Sequence, residues 1–328
     1  MSKRKFVSFL LCSVVLAPLT SIGVEAAWHR GDEAIMGTQV SVELWHEDAT
    51  AAQDLIEQVM AEMRRIDQTY SPYIESSQLS VLNRSAASTP VQVSQEMWRL
   101  LQAGQRMSEL SDGAFDLTYA SVGRLYDYRE KQRPSAVQIA AQLPAINYRH
   151  MVLEGERYVR YLHPAVYIDL GGIAKGYAVD RGIGLLAAAG VQQAIVAAGG
   201  DSRILGDRLG KPWSVGVQHP RDKGKMIAIL PLVDTAVSTS GDYERYFEEG
   251  DVRYHHILDP TSGDSARGLR SVTIMGPEGY FTDALSTAVF VLGIDAGLAL
   301  INRLPGIDAV LIDSTGDLRY SADIAPLD

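Results

Sequence analysis

Cysteine is almost absent from this 328-residue chain: the single one, Cys12, falls within the first 26 residues. A chain that loses that segment has neither a disulfide nor a thiol nucleophile. Positive charge is also scarce. Thirty Lys and Arg stand against 40 Asp and Glu, a formal charge of −10, and no basic stripe appears beyond the first five residues. That excludes the electrostatic footprint of a nucleic-acid-binding protein. A polyanionic substrate would need local cations or a metal to offset repulsion. No low-complexity linker or internal repeat divides the chain, and its 46% hydrophobic residues are ample for a sizeable core.

The N-terminus reads as a leader. Lys3, Arg4 and Lys5 precede an apolar run from Phe6 to Leu19, interrupted by Pro18, and "VEA" at 24–26 places small residues before a cut ahead of Ala27. The run is too short and broken for a transmembrane span. Leu11 is too bulky to precede a lipidated Cys12. The expectation is a cleaved signal over residues 1–26 and one compact, soluble periplasmic domain over 27–328.

Along that domain, Val40, Val42 and Leu44 alternate as in a half-buried strand. Thr50 and Gln53 form a capping-box pattern ahead of a helix with Leu55, Ile56, Val59, Met60, Met63 and Ile66 on one face. "YSPYIESSQLSVLN" reads as a polar loop, and a second amphipathic helix starts near Ser94 and stops at "SDG". Tyr167, Ile168 and Leu170 look like a strand end, with a helix from Ala174. Further strands are expected at "QAIVAA", Trp213–Val217, 227–233 and Ser271–Met275. A long apolar helix from Asp283 to Ile301 is followed by the hairpin "AVLIDSTGDLRY". Helices and strands mix without βαβ alternation, which predicts an α+β fold.

Five stretches carry the chemistry: "IMGTQV", "SDGAFDLT", "DLGGIAKGYAVD", "HHILDPTSG" and "TDALSTAVFVLG". Asp283 and Thr287 are four residues apart, so both oxygens lie on one helix face. Hard oxygens of this kind suit Mg²⁺, although an Asp beside a helix start is by itself most often a cap. Gly171 and Gly172 allow close approach of backbone and ligand, and Lys175 adds a charge to a helix N-terminus that already favours phosphate. Taken alone, an ordinary turn with an Asp169–Lys175 ion pair fits equally well. His256 is a candidate proton acceptor at neutral pH. "TSG" and "STSG" lack the G-x-S-x-G elbow of a serine hydrolase.

In this order, with "AGGD" and "STSGDYERYF" between the third and fourth, the stretches resemble the ApbE family of FAD:protein FMN transferases over nearly the whole mature chain. The resemblance implies a T-fold-like architecture, FAD as substrate, Mg²⁺ as metal, and a Thr or Ser of a secreted or membrane flavoprotein as acceptor. It implies that Met36, Tyr73, Ala114, Phe115, Asp116, Asp169, Lys175 and Ile257 contact FAD. The metal would be held by Asp283, Ser286, Thr287 and the carbonyl of Gly172, with Ser286 standing where many members have a second acid. Asp180 is expected to support the site. Two other readings share the same residues: a Mg²⁺-dependent FAD pyrophosphatase, and a periplasmic FAD carrier without catalysis.

Overall fold

The computed structural model describes residues 26–222 and 224–324. The expected leader therefore lies, except for Ala26, outside the described residues, as does Cys12. The frame is an eight-stranded antiparallel sheet. In chain order its strands are β1 (Ala27–Ile35), β2 (Thr38–His46), β3 (Ala194–Ala198), β4 (Asp201–Leu205), β5 (Ala236–Gly241), β6 (Leu269–Gly276), β7 (Asp308–Asp313) and β8 (Leu318–Tyr320). Their order across the sheet is the same as along the chain. Every neighbouring pair is antiparallel, so no parallel crossover is needed. This is an α+β fold, as the sequence predicts.

Three long helices cover one face of the sheet: α1 (Ala49–Tyr70), α4 (Ala174–Ala188) and α5 (Gly279–Ile301). Two others, α2 (Gln78–Ser85) and α3 (Gln95–Leu110), extend the same layer. The expected apolar stripe of α1 is buried at Ile56, Val59, Met60, Met63 and Ile66, against Val40, Val42 and Leu44 of β2 at 0% exposure. Each such side chain contributes about 1.5–3 kcal/mol on leaving water. Val215, Leu230 and Leu232 of the hairpin Trp213–Gln218/Met226–Leu232 pack on Val237, Met275 and Val310 as a smaller core.

Four local expectations are corrected. The cap of α1 is Asp48, whose Oδ1 accepts from Thr50 N and Ala51 N at 2.8 and 3.0 Å; the T-x-x-Q pattern lies inside the helix. The second half of the "loop" at 70–83 belongs to α2, capped by Ser77, and its first residue, Tyr70, ends α1. Residues 166–170 are extended but join no sheet: Tyr167 N and O bond Ser121 Oγ, while Ile168 N and O bond the side-chain amide of Asn83. The backbone groups that a ladder would satisfy are thus met by side chains. Finally, α5 begins at Gly279, so Asp283 sits in its second turn and does not cap it. The helix breaks at Gly293, whose φ of +78° interrupts the apolar run.

Candidate functional site

The site forms where the N-terminal turns of α4 and α5 cross. There the helices touch backbone to backbone. A Cβ at Gly176 would lie 2.0 Å from the Gly279 carbonyl oxygen, and one at Gly279 would lie 2.5 Å from the Gly176 oxygen. Only glycine permits this approach. Asp180 of α4 secures it, its carboxylate accepting from Gly279 N at 2.7 Å and Tyr280 N at 2.9 Å. These are first-turn donors of α5 that its own Glu278 leaves uncapped. Burial pushes the Asp180 carboxyl up to about 6. The supporting role expected for Asp180 is therefore a cap supplied from the neighbouring helix.

The crossing brings Asp283 onto α4. Its Oδ2 accepts from Gly176 N at 2.9 Å, and its Oδ1 lies 3.7 Å from Lys175 Nζ. Lys175 forms its close ion pair with Asp201, at the start of β4. The Asp169–Lys175 pair allowed by the sequence does not form; Asp169 Oδ1 accepts from Gly171 N at 2.5 Å and holds the turn. Burial raises the Asp283 carboxyl, and the nearby Asp201 charge raises it further. Burial alone would lower Lys175, but Asp201 and Asp283 outweigh it and keep the ammonium charged.

Around this triad the donors are oxygens. Thr287 Oγ1 lies 3.3 Å from Ser240 Oγ of β5, and a Cβ on Gly172 would be 3.4 Å from Thr287 Oγ1. Of the residues that the resemblance assigns to the metal, Gly172, Asp283 and Thr287 are thus neighbours. Ser286 is 1% exposed; its Oγ donates to the Asp283 carbonyl at 2.9 Å and meets Ser240 Oγ at 2.8 Å, which braces the helix. Among the described residues no three His, Cys, Asp or Glu side chains converge as ligands. A buried carboxylate, a hydroxyl and a backbone carbonyl fit a hard cation that keeps part of its shell for substrate and water, as Mg²⁺ does.

The residues expected to contact the nucleotide are placed as follows. Met36 and Gly37 form the β1–β2 turn, both at positive φ (55° and 70°), a conformation that costs Met energy and is typical of a functional turn. Arg245 lies against that turn, its Nη2 3.3 Å from where a Gly37 Cβ would stand. Among the described residues its guanidinium has no carboxylate within ion-pair distance, though its charge acts on Asp169, Lys175 and His256. Tyr73 is 84% exposed. The ring of Phe115 is buried beneath Gly172. Ala114 N donates to the Ser111 carbonyl at the end of α3. Asp116 is spent internally: Oδ1 accepts from Thr118 N and Oγ1, and Oδ2 from Tyr148 N. Ile257 is buried, its carbonyl accepting from Ala266 N.

His256 follows the hairpin Tyr246–Glu249/Val252–His255, anchored by its N–H donating to the Arg245 carbonyl at 3.1 Å. Its Nδ1 is buried with no partner among the described residues. Burial first, then the Arg245, His255 and Lys175 environments, lower the imidazole to about 3. The ordinary imidazole pictured from sequence is therefore a neutral ring in the free protein. Sequence reasoning left Asp201 and Arg245 unassigned. The signals were present, an acid directly after the glycine pair of "AGGD" and a lone cation in "GDYERYF", but their partners are far away in the chain.

Residues 36–311 match the ApbE family. The chain belongs to that family. A curated FAD:protein FMN transferase of Treponema pallidum (strain Nichols) is 32% identical over 312 residues, 89% of this chain and 86% of that one. The ApbE protein of Thermotoga maritima superposes with a TM-score of 0.84 at 34% identity, covering 90% of this chain and 97% of that one. Flavin transferase ApbE from Vibrio cholerae gives 0.82 at 26%, covering 92% and 100%. As an ApbE-family enzyme, the chain places the third and fifth of its diagnostic stretches at one helix crossing. "AGGD" supplies the acid, Asp201, that pairs with Lys175 of the third stretch.

Proposed function

We propose that this ApbE-family enzyme transfers the FMN portion of FAD to a threonine or serine hydroxyl of a flavoprotein, releasing AMP. The observation that carries the reading is the convergence of Lys175, Asp201 and Asp283 with Gly172 and Thr287, beside an unpaired Arg245. An acidic protein has here gathered two cations and a set of hard oxygens where a pyrophosphate would lie. Asp283, Thr287 and the Gly172 carbonyl would hold Mg²⁺, which when bound supplies positive charge to phosphoryl oxygens. Phosphoryl-type transfer depends mainly on such positioning and charge neutralisation.

Lys175 is fixed by Asp201 and stays charged, so it orients the pyrophosphate from the start of α4. Arg245 offers a planar fork to the same group. The acceptor hydroxyl oxygen bonds to the FMN phosphorus as the bond from that phosphorus to the AMP oxygen breaks. The hydroxyl proton goes to His256, which begins neutral, as a base must. Anionic substrate beside Arg245 and Lys175 offsets two of the causes that depress this histidine, so its basicity rises on binding. Tyr73 and Met36 offer a phenol ring and a thioether to the flavin rings.

The acceptor is a secreted or membrane flavoprotein, in keeping with the leader-like residues 1–26 and a periplasmic location. The test is AMP release by the protein with FAD and Mg²⁺, with and without a Thr-bearing acceptor. Release that depends on the acceptor hydroxyl supports transfer. Equal release without acceptor makes the enzyme a pyrophosphatase, and no release in either case makes it a carrier.

A further inference from the structure

A second cluster of charge lies outside the flavin site. Arg221, Arg253, Arg267 and Arg270 line a cleft of about 170 Å³ with Asp242 and His255. In a chain of formal charge −10, four guanidiniums share one small cavity with a single acid on its wall. Asp242 is buried and accepts a two-point contact from Arg221, both at 2.7 Å, while Arg253 Nη1 lies 3.4 Å away. Arg253 also pairs with the exposed Glu248 at 2.7 Å. These two acids occupy Arg221 and Arg253. Arg267 donates only to the Arg253 carbonyl, at 2.6 Å, and Arg270 has no side-chain partner among the described residues. Asp313, on the neighbouring turn, is taken up by Arg319 and the turn's own N–H groups.

The cations are also held in place. The Arg253 guanidinium lies 4.0 Å over the Tyr246 ring, and that of Arg267 lies 5.5 Å over Tyr254, where Arg267 keeps its remaining edge N–H groups for a ligand. The floor is closed by an imidazole. His255 is 2% exposed, its Nε2 is used on the Ala266 carbonyl at 2.9 Å, and its buried Nδ1 has no partner among the described residues. His255 lines the cleft, and its ring packs edge-on against Phe290 with centroids 5.4 Å apart.

We propose that this cleft is a separate binding site for a phosphoryl group, held by Arg267 and Arg270 and backed by the charge of Arg253. Guanidiniums give such groups two-point, charge-assisted hydrogen bonds. The group's source is either a free phosphate or a phospholipid headgroup, and the test separates them. Inorganic phosphate is titrated calorimetrically into FAD-saturated protein at low ionic strength, so that the flavin site is already filled. In parallel the protein is sedimented with phosphatidylglycerol or phosphatidylcholine vesicles. Binding in either arm should weaken at least about tenfold in the Arg267→Ala/Arg270→Ala double variant, at unchanged melting temperature, and persist in Lys175→Ala. If the double variant fails to fold, Arg270→Gln alone gives the same reading. Binding in neither arm overturns the proposal. So does binding indifferent to the arginines, or phosphate binding that disappears with Lys175.

Discussion

Gly176→Ala is the change that bears most directly on how the site is built. The added carbon would stand 2.0 Å from the Gly279 carbonyl oxygen, 2.5 Å from its carbon and 2.7 Å from Asp283 Cβ. Two of these three atoms are backbone, so no rotamer change relieves the clash and α5 must move by more than an ångström to restore contact distance. Overpacking of this kind costs about 1–3 kcal/mol, a fall in melting temperature of about 2–12 °C for a domain this size. The displacement also separates Gly176 N from Asp283 and moves Thr287 away from Gly172, so transfer should fall with it. Gly184, on the same helix, is the control: it is exposed and a Cβ there meets nothing within 4 Å. Gly184→Ala should be neutral or stabilise by about 0.5–1 kcal/mol through helix propensity. Thermal melts and single-turnover rates of both variants decide the matter. A Gly176→Ala protein with normal melting and normal rate would refute the crossing as the determinant of the site.

Asp283→Ala should remove Mg²⁺-dependent turnover while the fold survives; full activity at low Mg²⁺ would take Asp283 out of the metal site. Arg245→Ala should weaken FAD more than riboflavin, because its unpaired guanidinium is assigned to the pyrophosphate; equal losses in calorimetry would make it a wall residue. His256→Ala should bind FAD normally but slow the chemical step by about 10²–10⁴-fold, whereas lost affinity with an intact saturated rate would reassign it to packing. His255 is lowered to about 4 by burial, so it favours the neutral, folded form. Its contribution is present above the unfolded value near 6.5 and is lost as pH falls toward 4, by up to about 3 kcal/mol. His255→Asn should flatten stability over that window, and an unchanged acid slope in chemical denaturation would contradict it.

Much of the frame was legible because one rule governed each element. Val40, Val42 and Leu44 alternate, and the apolar face of α1 repeats at helical spacing; both are buried as read. What stayed hidden depended on partners far along the chain. Residues 167–170 have strand-like composition, but Asn83 and Ser121 satisfy their backbone, and no local pattern announces that. The start of α5 was placed late because the sequence shows no cap at 278; the cap is Asp180, about 100 residues earlier. The same holds for the site. Its individual motifs were visible, yet Lys175 could be matched with Asp169 or left free, and only the fold delivers Asp201 to it. Arg245 was visible as the one cation of "STSGDYERYF", but nothing local marks it as unpaired.

The central claim is that FMN leaves FAD for a protein hydroxyl and not for water. It is tested by mass spectrometry of a secreted flavoprotein acceptor after incubation with this enzyme, FAD and Mg²⁺, alongside the acceptor's Thr→Val variant. The predicted result is FMN attached to the threonine of the wild-type acceptor, none on the valine variant, and one AMP released per modified chain. An unmodified acceptor with free FMN and AMP in solution would contradict it.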